Sequence, residues 1–198
     1  MHNRRCVFRD NPDLNDPDFF EKVMSVIDKL KADGVSFELI SDEASQVTKL
    51  HQIAYQAMND VGAELTLVRN LHDEICYATM SSKQSWISKR ARELFHETVS
   101  CYSINELIDV CSRRFFDPNM IIALGLLGRK PEAEMIKTIS MNLDSALPKV
   151  RYCAARAAGI TQWQAFVPDL EMMLKMETDP DAREAAEHAL AVCMRNSR

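Results

Sequence analysis

GITQWQAFVPDLEMMLKMETDPDAREAAEHALA, residues 159–191, divides at an Asp-Pro turn into two apolar stripes of helical spacing. Phe166, Val167, Leu170, Met173 and Leu174 form the first stripe. Ala182, Ala185, Ala186, Ala189 and Leu190 form the second. The unit recurs upstream, as LPKVRYCAARAAGI from Leu147 and as DPNMIIALGLLG from Asp117. Arg151 answers to Arg183, and Gly128 to Gly159, at a period of roughly 31–32 residues. Two helices per unit at that period predict an α-solenoid, in which each unit buries its apolar face against the next.

These residues resemble HEAT repeats, in particular the short form found in phycobilisome lyases. The last unit carries the motif as Gly159, Pro168, Leu170, Leu174, Asp179, Ala182, Arg183, Ala186, Ala189 and Leu190. The middle unit supplies Gly128, Ile139, Leu143, Val150, Arg151, Ala154, Ala157 and Ala158, and departs at Leu147, where the family's Asp would stand. The earliest unit keeps Asp117, Pro118, Ala123, Leu124 and Gly125 without a matching Arg. The resemblance covers about 103–194. It implies that the repeat arginines, Arg151 and Arg183, pair with a turn aspartate, Asp179 here, with Asp117 in the same structural role upstream. It implies little about activity, because such repeats serve scaffolds, lyase subunits, inhibitors and some DNA-repair enzymes.

Composition sets the wider bounds. Five Gly and seven Pro in 198 residues argue against a loop-rich all-β fold and against disorder. The net charge of −5 has the wrong sign for a surface that tracks nucleic acid, which needs clustered Lys and Arg. The six cysteines include no CxxC pair and suit a reducing compartment. The opening MHNRRCVFRD lacks the apolar core of a secretory signal, and no apolar run reaches membrane-spanning length. The expected location is cytoplasmic, with no membrane partner.

Start and stop signals divide the rest. Residues 1–16 read as a flexible lead-in, acidic and turn-rich over 9–16. Asp16-Pro17 opens a helix whose stripe is Phe19, Phe20, Val23, Met24, Ile27 and Leu30, closed by Gly34. A second helix is expected from Asp42 to Val61 on Val47, Leu50, Ala54, Ala57, Met58 and Val61, with Gly62 ending it. A third continues through Leu65, Val68, Leu71 and Ile75. The alternation in VSFELI and AELTLV keeps open a small βαβ unit over 35–68. Capping boxes at Ser81/Gln84 and Ser103/Glu106 start helices at about 82–99 and 104–115. The expected fold is all-α: a short right-handed α-solenoid of HEAT-like helix pairs over 103–198, with a helical region over 17–102 that is either degenerate repeats or an N-terminal cap.

Catalytic signals are sparse. His72 and Cys76 would stand one turn apart on a helix, but nothing supplies a second metal-ligand pair. Glu93 and His96 have di-iron spacing without the partner motifs such a site needs. No glycine-rich phosphate loop, G-x-S-x-G or H-E-x-x-H occurs. The sequence therefore assigns no catalytic residue, no metal and no cofactor.

A non-catalytic protein-binding module remains, of the immunity, inhibitor or regulatory kind, with a basic protein or toxin as the partner class. In a solenoid the second helix of each unit lines the concave face. Its outward positions are Ile121, Tyr152, Arg156, Glu184, Glu187 and His188, to which the helix at 82–99 adds Lys89, Arg92 and His96. The alternative is an enzyme or enzyme subunit on the same scaffold, of bilin-lyase or DNA-glycosylase type.

Overall fold

The computed structural model describes residues 2–58 and 62–195. The chain divides into two compact units, Met1–Tyr102 and Ser103–Arg198.

The first unit overturns the all-α expectation. It holds strands β1 (His2–Val7), β2 (Phe37–Ser45), β3 (Leu50–Ala57), β4 (Glu64–Asn70) and β5 (Ile75–Ser82), with helices α1 (Pro17–Ala32) and α2 (Ser85–Thr98). The strands form one sheet in the order β1-β5-β4-β3-β2, antiparallel throughout. Among the described residues there is neither the helix expected over 42–61 nor a βαβ crossover. The two alternating stretches are β2 and β4, separated in the sheet by β3.

The register shows what helical spacing obscured. Cys6, Ala78, Leu67 and Ile53 stand in one cross-strand row. Met80, Leu65 and Tyr55 stand in the next row on the same face. All seven are buried in one core with Val23, Val26, Ile27 and Leu30 of α1 and Ala91, Leu94 and Phe95 of α2. Along β3 the inward positions are His51, Ile53, Tyr55 and Ala57, all buried. His51 breaks the apolar alternation, and its Nε2 lies 2.8 Å from the Asp42 carboxylate, so its polar ring is satisfied inside. Val47, assigned to a helical stripe, sits in the β2–β3 connection and is 93% exposed. Val61 lies outside the described residues.

The β2–β3 and β4–β5 hairpins also lack glycine and proline at their tips. Lys49 (φ 55°) and Glu74 (φ 51°) supply the left-handed positions. Ser45 Oγ accepts from the Thr48 amide at 3.1 Å. Asn70 Oδ1 accepts from the amides of His72 and Asp73 at 3.0 and 3.1 Å, a side-chain mimic of a turn. His72 and Cys76 thus belong to a turn and a strand, not to one helix face.

The lead-in is also corrected. It contributes β1, buries Leu14, and ties down through Asp13, whose carboxylate accepts from Arg69 at 2.6 Å. α1 follows its signals: Asp16 caps the Phe19 amide at 2.9 Å and Gly34 is left-handed at φ 92°. The Ser81/Gln84 box does not form. Ser82 Oγ takes the Gln84 amide instead, and α2 begins at Ser85.

The second unit is helical. Its helices are α3 (Ile104–Cys111), α4 (Asn119–Leu127), α5 (Ala133–Leu143), α6 (Pro148–Thr161), α7 (Val167–Met176, entered through a short 3-10 turn) and α8 (Pro180–Arg195). They pack as the pairs α3/α4, α5/α6 and α7/α8. The Ser103/Glu106 capping box opens α3.

The second helices of the pairs, α4, α6 and α8, form the tight layer, and small residues make it so. A Cβ on Gly125 would lie 2.8 Å from Ala157 Cα, and one on Gly159 would lie 3.4 Å from Ala189 Cα. Gly128 ends α4, as expected between units, and a Cβ there would meet the Trp163 ring at 3.1 Å. Gly159 does not separate units: α6 runs past it to Thr161 and ends on left-handed Gln162 (φ 59°). Among the described residues no helix is long and apolar enough to cross a membrane.

Candidate protein-binding surface

The outward face of α6 is set by its buried stripe. Val150, Cys153, Ala154, Ala157 and Ala158 point inward, which leaves Lys149, Tyr152 and Arg156 on the far side. They sit three and four residues apart, so they stack along one helix face. Lys149 Nζ lies 4.9 Å from the Tyr152 ring centroid, and Arg156 Cζ lies 5.9 Å from it. Each cation–π contact contributes about 0.5–1 kcal/mol at an exposed site. Their main effect is to hold a half-buried tyrosine upright between two cations. Its low-entropy, amphipathic ring is of the type enriched where interfaces concentrate their binding energy.

On α8 the inward positions are Ala182, Ala185, Ala186, Ala189 and Cys193. Glu184, Glu187 and His188 are exposed. A Cβ on Gly159 would lie 3.9 Å from His188 Nδ1. The His188 ring thus lies beside α6 at Gly159, where the two outward faces adjoin. The surface is cationic and aromatic along α6, acidic along α8.

Other expected positions fall elsewhere. Ile121 is fully buried and is removed from the surface, because α4 is apolar around its whole circumference. Lys89, Arg92 and His96 stand on α2 of the first unit. Lys89 lies 3.8 Å from Glu93, His96 is exposed, and Arg92 is half-buried.

Below the α6 surface, the repeat arginines take unexpected partners. Asp179 caps α8, accepting from the Ala182 amide at 2.9 Å. Glu177, not Asp179, binds Arg151: Nε to Oε2 at 2.6 Å and Nη2 to Oε1 at 2.7 Å. Arg151 Nη1 also donates to the Ser145 carbonyl at 2.8 Å. Glu177 further accepts from the amides of Thr178 and Asp179 at 3.0 and 2.9 Å. Arg151, helped by these amides, pulls the buried Glu177 carboxyl down from 4.5 to about 2. Arg183 donates to the carbonyls of Leu174 and Glu177 at 3.1 and 3.3 Å, which ties α8 to the end of α7. Asp117 takes the Asn119 amide at 3.0 Å and shapes the entry to α4.

The thiols are not poised for nucleophilic work. All six are buried and unpaired by disulfides. Burial raises Cys76 and Cys111 to about 12 and Cys193 to about 11. Among the described residues no group of three or more His, Cys, Asp or Glu side chains is placed to hold a metal ion.

Residues 104–191 match the family model for HEAT repeats, whose members generally mediate protein–protein contact. No curated protein and no solved structure matches the chain.

Proposed function

We propose that this chain binds a partner protein through the outward face of α6 and α8, without catalysis. The supporting observation is Tyr152, held between Lys149 and Arg156 beside the acidic face of α8. A helix layer whose core is alanine and glycine can vary its outward positions freely, because they carry no packing load. That freedom suits an immunity, inhibitor or regulatory protein matched to one target. The acidic α8 face favours a target with a basic patch, and the α6 cations fix its orientation. The bilin-lyase and DNA-glycosylase alternatives rest on the repeat resemblance alone.

The test is co-purification of the tagged full chain from its native host, followed by mass spectrometry. Changing Tyr152 and Arg156 together to Ala should weaken retention of the partner by roughly 2 kcal/mol or more, with helix content unchanged by circular dichroism. Equal retention by wild type and variant would move the interface off α6.

A further inference from the structure

On the opposite layer, the first helices leave a gap. α5 and α7 part to form a cleft of about 440 Å³ within the second unit, a volume in the range of real binding sites. From the structure we infer that this cleft receives a basic amphipathic helix of a partner protein. The inference rests on the reading of the repeat half as a protein-binding module, and adds a second surface to it.

The walls are apolar and adaptable. Met172 and Met176 line the cleft from α7 and are 57% and 77% exposed. Unbranched thioether chains repack around diverse apolar partners, and keeping them in water has no folding benefit. The floor is neutral. Arg151 lines it, but its guanidinium is engaged bidentately by Glu177, whose side chain is fully buried. The rim is acidic: Asp144 beside the end of α5 and Asp169 on α7 face the cleft. Asp169 accepts a short hydrogen bond from Ser140 Oγ at 2.5 Å, which fixes its carboxylate at the α5 wall.

These features select the occupant. A wholly apolar segment would strip water from Asp144 and Asp169 without replacing it. An anionic segment would meet two carboxylates across a neutral floor. A segment with a Lys or Arg one turn from a Leu, Met or Phe satisfies rim and wall together. It should be helical, because a helix layer offers no strand edge to pair with, and a groove between two helices accepts a third by side-chain interdigitation.

The probe is a phage-displayed library of random 16-residue peptides, selected on the full chain. Recovered peptides are then measured by fluorescence anisotropy. The expected sequences place Lys or Arg three or four residues from a large apolar residue. Their affinity should fall about tenfold or more in Asp144→Asn/Asp169→Asn, and likewise in Met172→Gln/Met176→Gln, with both variants folded by circular dichroism. Binding should also weaken as salt rises. Recovery of acidic or uncharged sequences, recovery of none, or undiminished binding by both variants overturns the inference. If only the Tyr152→Ala/Arg156→Ala variant loses the peptides, the cleft falls and the α6 surface stands. If the cleft variants lose them while partner retention ignores Tyr152 and Arg156, the α6 reading falls and the cleft stands.

Discussion

Glu177 is the residue on which the last two helix pairs are joined. It links the turn before α8 to Arg151 on α6, and its side chain has no exposure. Removing one member of a buried ion pair strands the other, so Glu177→Gln should cost roughly 2–4 kcal/mol by urea unfolding. The pH dependence has a definite sign. The carboxyl titrates at about 2 folded, against an ordinary 4.5. Its contribution is therefore complete above about 4.5 and disappears as pH falls toward 2. The stability gap between wild type and Glu177→Gln should close over that window, and a gap independent of pH would exclude the linkage. Asp179→Ala loses only the cap on the Ala182 amide and should cost about 1 kcal/mol. A melting temperature matching wild type would refute the cap. Asp179 was legible as a cap from Asp-Pro before an Ala-rich stripe. Glu177 was not, because a loop residue two positions away carries no periodicity.

At the scale of elements, helix ends with local chemistry were readable. Asp16-Pro17 before α1 and Ser103 with Glu106 at α3 need only neighbouring residues. The strands failed for a physical reason. The turns of β2–β3 and β4–β5 run on Ser45 and Asn70 side chains and on left-handed Lys49 and Glu74, not on the glycines a search for hairpins seeks. The inward His51 then blurred the alternation of β3. On α4 the phase was unreadable, since an all-apolar helix has no polar stripe to orient it, and Ile121 was misplaced. α6 has both stripes, and Tyr152 and Arg156 stand outside its buried one. The tight layer yields a paired prediction. Gly125→Ala drives a methyl to 2.8 Å from Ala157 backbone and should destabilise by about 1–3 kcal/mol. Gly159→Ala meets ordinary contact at 3.4 Å and gains up to about 1 kcal/mol of helix propensity. Thermal melts moving in the same direction for both would contradict the packing described.

For the molecule as a whole, legibility follows the range of the contacts. The repeat half is built from pairs close in sequence, so a period of about thirty residues reveals it. The first half closes β1 against β5 across most of its length, and no local pattern encodes that pairing. The second unit has its own core from α3 to α8, including Leu107, Ile139, Phe166 and Ala186. Residues 103–198 expressed alone should therefore give a helical far-ultraviolet spectrum and a cooperative melt. A broad, non-cooperative transition would show that the unit does not stand by itself.

The outer strand β2 carries one more consequence. Leu39 and Ile40 are both largely exposed there, at the register shift between Leu39 and Ser41. A straight outer strand with adjacent apolar residues is a template on which other chains can polymerise. The irregularity at Ile40 interrupts that template, and the carboxylates of Glu38, Asp42 and Glu43 repel an identical neighbour. Colloidal stability at high concentration is thus guarded by one surplus residue. Deleting Ile40 should bring thioflavin-positive fibres where the intact chain stays clear.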